Sequence, residues 1–157
     1  MYVTHSGEDT FEFGRALGAC LRAGDTVLLY GELGAGKSVL ARGCANALGV
    51  TEAMASPTFT LMQPYRGDHG NVYHFDLYRL SGADELFASG LEDLLGGDGV
   101  SLVEWPQQAD VCPEVRVEID IERADAFEDR RLDVALFGME KRADAVFSAI
   151  RKWEVRE

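Results

Sequence analysis

The apolar residues of this chain recur with two spacings, one typical of helices and one typical of strands. Helical spacing predicts helices over residues 6–24, 37–49, 81–95 and 143–153, with Gly90 interrupting the third. Short apolar or alternating runs predict strands over 25–30, 56–62, 72–76, 100–104, 114–123 and 131–137, with a turn-rich stretch at 66–71. Strands that alternate with helices and end in a strand pair predict an α/β sheet with an antiparallel addition. The strands over 56–62 and 72–76 either join this sheet or form a ribbon of their own.

One stretch, from Gly31 to Ser38, fits the phosphate-loop pattern G-x-x-x-x-G-K-[ST] at every fixed position. It follows the predicted strand over 25–30 and leads into a helix that begins at Lys37, which is the context that the pattern requires. Its glycines lack Cβ atoms, so the backbone can curl around an anion and point N–H groups at it. The stretch therefore predicts a nucleotide site on a P-loop NTPase-like sheet with helices on both faces.

Residues of this loop have separate predicted roles. Lys37 can reach the terminal phosphates of a nucleotide, and the Ser38 hydroxyl can enter the ligand shell of a Mg²⁺ ion. The N-terminus of the following helix adds partial positive charge. The residues expected to contact the nucleotide here are Gly31, Glu32, Leu33, Gly34, Ala35, Gly36, Lys37, Ser38 and Val39.

Two acidic residues, Asp76 and Glu104, each close an apolar run. A carboxylate at the end of such a strand can hold Mg²⁺ or its waters in nucleotide-hydrolysing phosphate-loop proteins, so either acid or both could do so here. Trp105 follows Glu104 at once and is expected to pack as core or to gate the site. Thr58 and Thr60 are candidates for a segment that senses the terminal phosphate, although a threonine-rich strand fits the pattern equally.

The composition fits a single globular domain over residues 1–157. Hydrophobic residues make up 46% of the chain and charged residues 27%, which is ordinary for a folded protein of this length. The N-terminus lacks the order of a signal peptide, and no apolar run approaches the roughly 18 residues of a membrane helix. We therefore expect a cytoplasmic protein with no membrane contact, whose scattered cysteines, Cys20, Cys44 and Cys112, stay reduced.

The net charge argues against nucleic acid as a direct ligand. It is formally −12, and only three residues are lysines, Lys37, Lys141 and Lys152. Such a chain is repelled by phosphate backbones unless its arginines cluster on one face. Direct tRNA or DNA binding is therefore not expected, whereas the acidic surface serves solubility or a basic protein partner.

Two other classes of phosphate-loop protein fit this sequence less well. A guanine-nucleotide switch needs a base-reading Asn-Lys-x-Asp segment, which the sequence lacks. A small-molecule or nucleoside kinase needs an arginine-rich lid, yet the stretch between Ala47 and Trp105 contains only Arg66 and Arg79. The kinase remains the alternative to an ATP-hydrolysing protein, and a third hypothesis is a module that binds ATP as a structural ligand without turnover.

Four segments together resemble the TsaE (YjeE) family of bacterial ATPases. They are the loop at 31–38, Ser-Pro-Thr-Phe-Thr-Leu at 56–61, His-Phe-Asp-Leu-Tyr-Arg-Leu at 74–80 and Val-Glu-Trp-Pro at 103–106. The resemblance implies an ATPase that uses ATP and Mg²⁺ and is required for N6-threonylcarbamoyladenosine at position 37 of tRNA. It also implies that the protein does not transfer the group itself but acts on a complex of the TsaD and TsaB proteins.

The resemblance implies roles for individual residues as well. Ser38 and Glu104 would hold Mg²⁺, Lys37 would hold the phosphates, and Asp76 would orient water or the metal shell.

Four further residues would lie around the nucleotide if the resemblance holds. Thr58 and Trp105 would be switch elements near the site. Thr10, in the N-terminal part of the chain, and Arg130, on the C-terminal hairpin, would flank the nucleotide.

No arginine is evidently placed to stabilise the transition state, so slow turnover by the isolated chain is predicted.

Overall fold

A computed structural model describes residues 1–55 and 60–156, and these residues form seven strands and four α-helices. The strands are β1 (Tyr2–Thr4), β2 (Thr26–Tyr30), β3 (Met62–Gly67), β4 (Gly70–Asp76), β5 (Val100–Glu104), β6 (Arg116–Arg123) and β7 (Arg130–Phe137). The α-helices are α1 (Gly7–Gly18), α2 (Lys37–Ala47), α3 (Ala83–Ser89) and α4 (Ala143–Ile150). Short 3₁₀ turns cover Leu91–Leu94, Pro106–Ala109, Glu140–Arg142 and Arg151–Trp153.

The seven strands of the described residues form one sheet in the order β1-β7-β6-β2-β5-β4-β3. Strands β6, β2, β5 and β4 are mutually parallel, while β1, β7 and β3 each run antiparallel to a neighbour. The predicted antiparallel addition is confirmed. All four parallel strands therefore end at the same edge of the sheet.

Helices cover both faces of the sheet, as the sequence predicts. Successive side chains of a strand point to opposite faces, so Val27 and Leu29 of β2 join the core under α1, α2 and α4. Leu28 joins a second core on the other face, together with Leu86 of α3. Strand β6 buries alternate residues, as expected for a strand with one solvated face. Among the described residues, no helix has the length and apolar character that crossing a bilayer requires.

The C-terminal part of the chain packs against α1 and against Asp25, the residue that precedes β2. The rings of Trp153 and Phe13 lie 5.3 Å apart, centroid to centroid, and the Trp153 indole N–H donates to Asp9 Oδ1 at 2.8 Å. Arg142 donates to both carboxylate oxygens of Asp25, at 2.8 and 2.6 Å. These contacts hold the chain end beside α1 even though α4 is short.

Two parts of the fold differ from the sequence prediction, and a third agrees with it. Strand β1 precedes the first helix and forms by pairing with β7, an interaction that a three-residue pattern does not reveal. Strand β3 begins at Met62 and continues into the stretch predicted as a turn, because pairing with β4 keeps Arg66 and Gly67 extended. The predicted interruption of the helical stretch over 81–95 at Gly90 is confirmed, since this residue has a φ of +76° and separates α3 from the 3₁₀ turn Leu91–Leu94.

Helices α1 and α2 approach so closely that glycine is required at their contact. A Cβ atom added to Gly43 would lie 2.2 Å from the carbonyl oxygen of Phe11, and one added to Gly14 would lie 2.4 Å from that of Leu40. Backbone atoms cannot move aside as the end of a side chain can. The position of α2, and with it the phosphate loop, therefore depends on these glycines.

We expect Gly43→Ala to lower the free energy of unfolding by about 2–3 kcal/mol, because the added methyl group forces the helices apart. Gly7→Ala is the matched control, since a Cβ at Gly7 meets nothing within 4 Å and alanine favours the first helical turn. Urea denaturation of both variants measures the difference. Equal stability of the two variants would show that the helices adjust without cost.

Candidate functional site

The carboxyl ends of neighbouring parallel strands bring the predicted site residues together. Strand β2 ends at Tyr30 and continues into the loop, β5 ends at Glu104, and β4 ends at Asp76. In the sheet register Leu29 lies beside Glu104, and Glu104 lies beside Asp76. Ligands of open α/β sheets bind outside such strand ends. The loop and both predicted acids thus occupy the expected edge.

The loop backbone has the conformation that its glycines permit. Gly36 precedes α2 with a φ of +111°, a value that residues with a Cβ rarely adopt. A Cβ at Gly31 would lie 2.4 Å from the carbonyl oxygen of Ile121, so the start of the loop also requires glycine. The first amide groups of α2 have no acceptor within the helix, and Gly36 has no side chain to cap them. They are suited to an anion.

Lys37 lies buried at the start of α2 and is held by the loop itself. Its ammonium donates to the carbonyl oxygens of Gly31 and Glu32, the latter at 3.1 Å. The ring of Trp105 lies over the same ammonium, with 3.8 Å between Nζ and the ring centroid. Burial lowers the pKa of Lys37, and nearby carboxylates, Glu104 first among them, oppose that shift. The ammonium is therefore largely removed from water.

A chain of hydrogen bonds holds the Glu104 carboxylate, which is only 3% exposed. Ser38 Oγ donates to Oε1 and Oε2 of Glu104 at 2.9 and 3.1 Å. His74 Nε2 lies 2.6 Å from Oε2. Because a carboxylate only accepts, this contact assigns the ring proton to Nε2. His74 Nδ1 is buried without a partner among the described residues, so the ring is committed to Glu104.

Asp76 and Trp105 border the same space. Asp76 Oδ1 accepts from the backbone N–H of Tyr78 at 3.1 Å, which fixes the turn after β4. Trp105 has a φ of +58°, unusual for a bulky side chain, and its ring contacts that of Tyr78 with centroids 4.9 Å apart. The backbone conformation of Trp105 aims its ring back towards Lys37. Trp105 therefore lines the site and also packs against the second core.

Two cavities lie on either side of the loop and share Gly34, Gly36 and Val39. The first, of about 270 Å³, is lined also by Leu33, Lys37, Ser38, Asp76, Glu104 and Trp105. The second, of about 190 Å³, is lined also by Gly7, Thr10, Phe127, Glu128 and Arg130. Both predicted flanking residues, Thr10 and Arg130, therefore border the loop.

Arg130 connects the β6–β7 turn to the loop. Its Nε donates to the carbonyl oxygen of Ala35 at 2.8 Å, and its Nη1 donates to those of Phe127 and Asp129 at 3.1 and 2.9 Å. Thr10 is buried, and its hydroxyl is bonded to the Thr4 hydroxyl at 2.7 Å. Thr10 thus offers a methyl surface to this side of the loop, while Arg130 fixes its shape.

Sequence comparison agrees with this geometry. A sequence model of the family described as "Threonylcarbamoyl adenosine biosynthesis protein TsaE" matches residues 4–132, most of the chain. The chain belongs to the TsaE family. The matched region includes the loop, both strand-end acids, Trp105 and Arg130.

Individual TsaE proteins align over most of their length. The tRNA threonylcarbamoyladenosine biosynthesis protein TsaE of Treponema pallidum is 38% identical over 120 residues, 76% of this chain and 88% of the relative. That of Streptomyces coelicolor is 45% identical over 117 residues, 72% of this chain and 78% of the relative. The crystal structure of Bacillus subtilis YdiB superimposes with a TM-score of 0.74 at 29% identity and covers 96% of this chain and 93% of YdiB.

The structure adds two side chains that sequence reasoning did not assign to the site. His74 is one of them. It could have been found from its position two residues before Asp76, because alternate residues of a strand lie on the same face. Arg123 is the other: it ends β6, a strand parallel to β2, and its Nη2 lies 3.4 Å from the carbonyl oxygen of Gly34. Thr58 falls outside the described residues, so its switch role stays a prediction.

We expect His74 and Glu104 to be energetically coupled. A double-mutant cycle with His74→Ala and Glu104→Gln should give a coupling free energy of unfolding of about 1.5–3 kcal/mol. Either single substitution removes the buried hydrogen bond to the charged carboxylate, so the second substitution cannot remove it again. Urea denaturation of the two single variants and the double variant measures it. The exposed His69, replaced by Ala in the same cycle with Glu104→Gln, is the control and should show no coupling. Coupling no larger than that control would contradict the assignment.

Proposed function

We propose that this chain is an ATP-hydrolysing accessory protein of tRNA N6-threonylcarbamoyladenosine synthesis, and that it acts on a TsaD–TsaB complex in the cytoplasm. Membership of the TsaE family supports the role in this tRNA modification. The observation that carries the ATPase part is the buried Lys37 beside the Ser38–Glu104 pair at the start of α2. A phosphate-binding loop, a cation and a carboxylate at a strand end are the parts that nucleotide hydrolysis uses.

Phosphate binding in this proposal rests on the loop and Lys37. The N–H groups of the loop and of the first turn of α2 donate to phosphate oxygens. Lys37 exchanges the carbonyl oxygens of Gly31 and Glu32 for oxygens of the terminal phosphates. Because Lys37 is only 5% exposed, its charge contacts are stronger than they would be on the surface.

The carboxylates act on the metal side of the site. A Mg²⁺ ion bound with ATP neutralises developing charge on the phosphates. Ser38 and Glu104 are the residues that would hold it, and a hydroxyl with a carboxylate is a donor set that Mg²⁺ accepts. His74 donates to Glu104 and keeps that carboxylate in one orientation. Asp76, in the same cavity, would orient water or the metal shell.

Slow turnover by the isolated chain follows from the positions of the arginines. Arg123 and Arg130 donate to the carbonyl oxygens of Gly34 and Ala35, so both hold the outside of the loop. A charge that acts on the transferred phosphate from within the site can contribute roughly 10³–10⁵-fold. In the proposal, docking on TsaD–TsaB completes or orders the site.

The partner proteins, and not this chain, contact the tRNA in this proposal. A net charge of −12 opposes approach to an RNA backbone. An acidic ATPase can still regulate an RNA-modifying complex through a protein interface.

We expect ADP release from Mg²⁺-ATP to be slow for the pure chain and to rise when TsaD–TsaB is added. Lys37→Ala should abolish the stimulated release, because the terminal phosphates lose their buried cation, while Lys141→Ala, at an exposed position, should not change it. A coupled assay of ADP measures both. Release that requires a small hydroxyl acceptor instead of the partner would make the protein a kinase.

A second experiment separates the two acids. Glu104→Gln should lose most Mg²⁺-dependent turnover yet keep much of the nucleotide affinity, because the loop supplies most of the phosphate contacts. Turnover assays and calorimetric ATP titrations measure the two effects, with the exposed Glu140→Gln as control. Unchanged turnover in Glu104→Gln would move the metal role to Asp76.

A further inference from the structure

An aromatic side chain on the β6–β7 turn is exposed in a way that packing does not explain. Phe127 is 88% exposed, the largest exposed fraction among the large hydrophobic side chains of the described residues. Aromatic rings gain free energy from burial or stacking, and a fully solvated phenylalanine gains neither. A ring in this state suits a ligand that covers it.

The backbone beneath this ring is nevertheless well anchored. Arg130 Nη1 donates to the carbonyl oxygen of Phe127 at 3.1 Å, while Arg130 Nε holds the loop at Ala35. Within the turn, the N–H of Ala124 donates to the carbonyl oxygen of Asp129 at 3.0 Å. The Asp129 carboxylate lies 3.0 Å from His5 Nδ1 on the N-terminal segment. The exposed ring is therefore carried by a turn that is tied to the phosphate loop.

The position of Phe127 relative to the loop indicates which part of a nucleotide it would meet. The cavity with Lys37, Ser38 and Glu104 is the metal and terminal-phosphate side. Phe127 borders the other cavity, which shares Gly34, Gly36 and Val39 with the first. A nucleotide whose terminal phosphate lies on the first side extends its ribose and base towards the second.

We propose that Phe127 is the base-stacking residue of the nucleotide site and that Arg130 is the positioning residue that sets the turn over the loop. This inference rests on the proposed nucleotide binding and deepens it, since it names the base of a nucleoside triphosphate as the ligand of the β6–β7 turn. Stacking uses the ring face that every base presents. It adds affinity for the base without altering the phosphate contacts.

The test compares ATP with inorganic tripolyphosphate, which has the phosphate chain but no base. Phe127→Ala should weaken ATP binding about tenfold, in line with stacking energies measured for single bases, and should leave tripolyphosphate binding unchanged. Phe127→Tyr should restore ATP affinity, because the ring is kept. Phe87→Ala, which removes another ring that is 75% exposed but lies on α3, should change neither. Isothermal titration calorimetry measures all affinities.

Each outcome decides a different claim. Unchanged ATP affinity in Phe127→Ala, with normal ATP binding by the unaltered protein, would overturn the stacking role alone. An equal loss for ATP and tripolyphosphate would also overturn it, because Phe127 would then act through the loop. If the unaltered protein bound neither compound, the proposed function itself would be wrong, and the stacking role with it.

Discussion

The buried negative charge of Glu104 is the constraint on which the rest of the site depends. A carboxylate removed from water costs several kcal/mol unless donors and positive charge compensate for it. Ser38 and His74 donate to this one, and Glu104 in turn raises the pKa of the nearby Lys37 against the effect of burial. These partners come from α2 and β4, so β2, β5 and β4 must lie side by side for the charge to be tolerated. The strand order is therefore required for the hydrogen bonds that stabilise the Glu104 carboxylate.

Local contacts between cations and the loop explain how a protein with a strongly negative net charge can form an anion site. Three cations, Lys37, Arg123 and Arg130, contact carbonyl oxygens of the loop, those of Gly31, Glu32, Gly34 and Ala35. The carbonyl groups of Gly34 and Ala35 bond to Arg123 and Arg130 outside the site, which leaves the N–H groups of a curled backbone free to converge on its inner side. The loop can thus attract phosphate locally, although the whole surface repels a polyanion such as RNA.

The parts of this site that could be predicted are those encoded within a few residues of sequence. The loop, the start of α2 at Lys37 and the acids Asp76 and Glu104 at strand ends follow from local motifs and apolar periodicity. The contact between His74 and Glu104 spans 30 residues, and the one between Arg130 and Ala35 spans 95, so both depend on strand order. Strand β1 and the extension of β3 likewise depend on pairing with distant strands, which outweighs local propensity.

The β6–β7 pair shows how an apparent addition to a sheet becomes part of its site. Because β6 runs parallel to β2, its last residue, Arg123, reaches the same edge as the phosphate loop. The turn over 124–129 that returns the chain into β7 must then lie beside that loop. A two-residue turn would end near Arg123 and leave the second cavity open, whereas six residues carry Phe127 to its rim. The length of this turn, more than its pairing with the sheet, thus determines which side chains border this side of the loop.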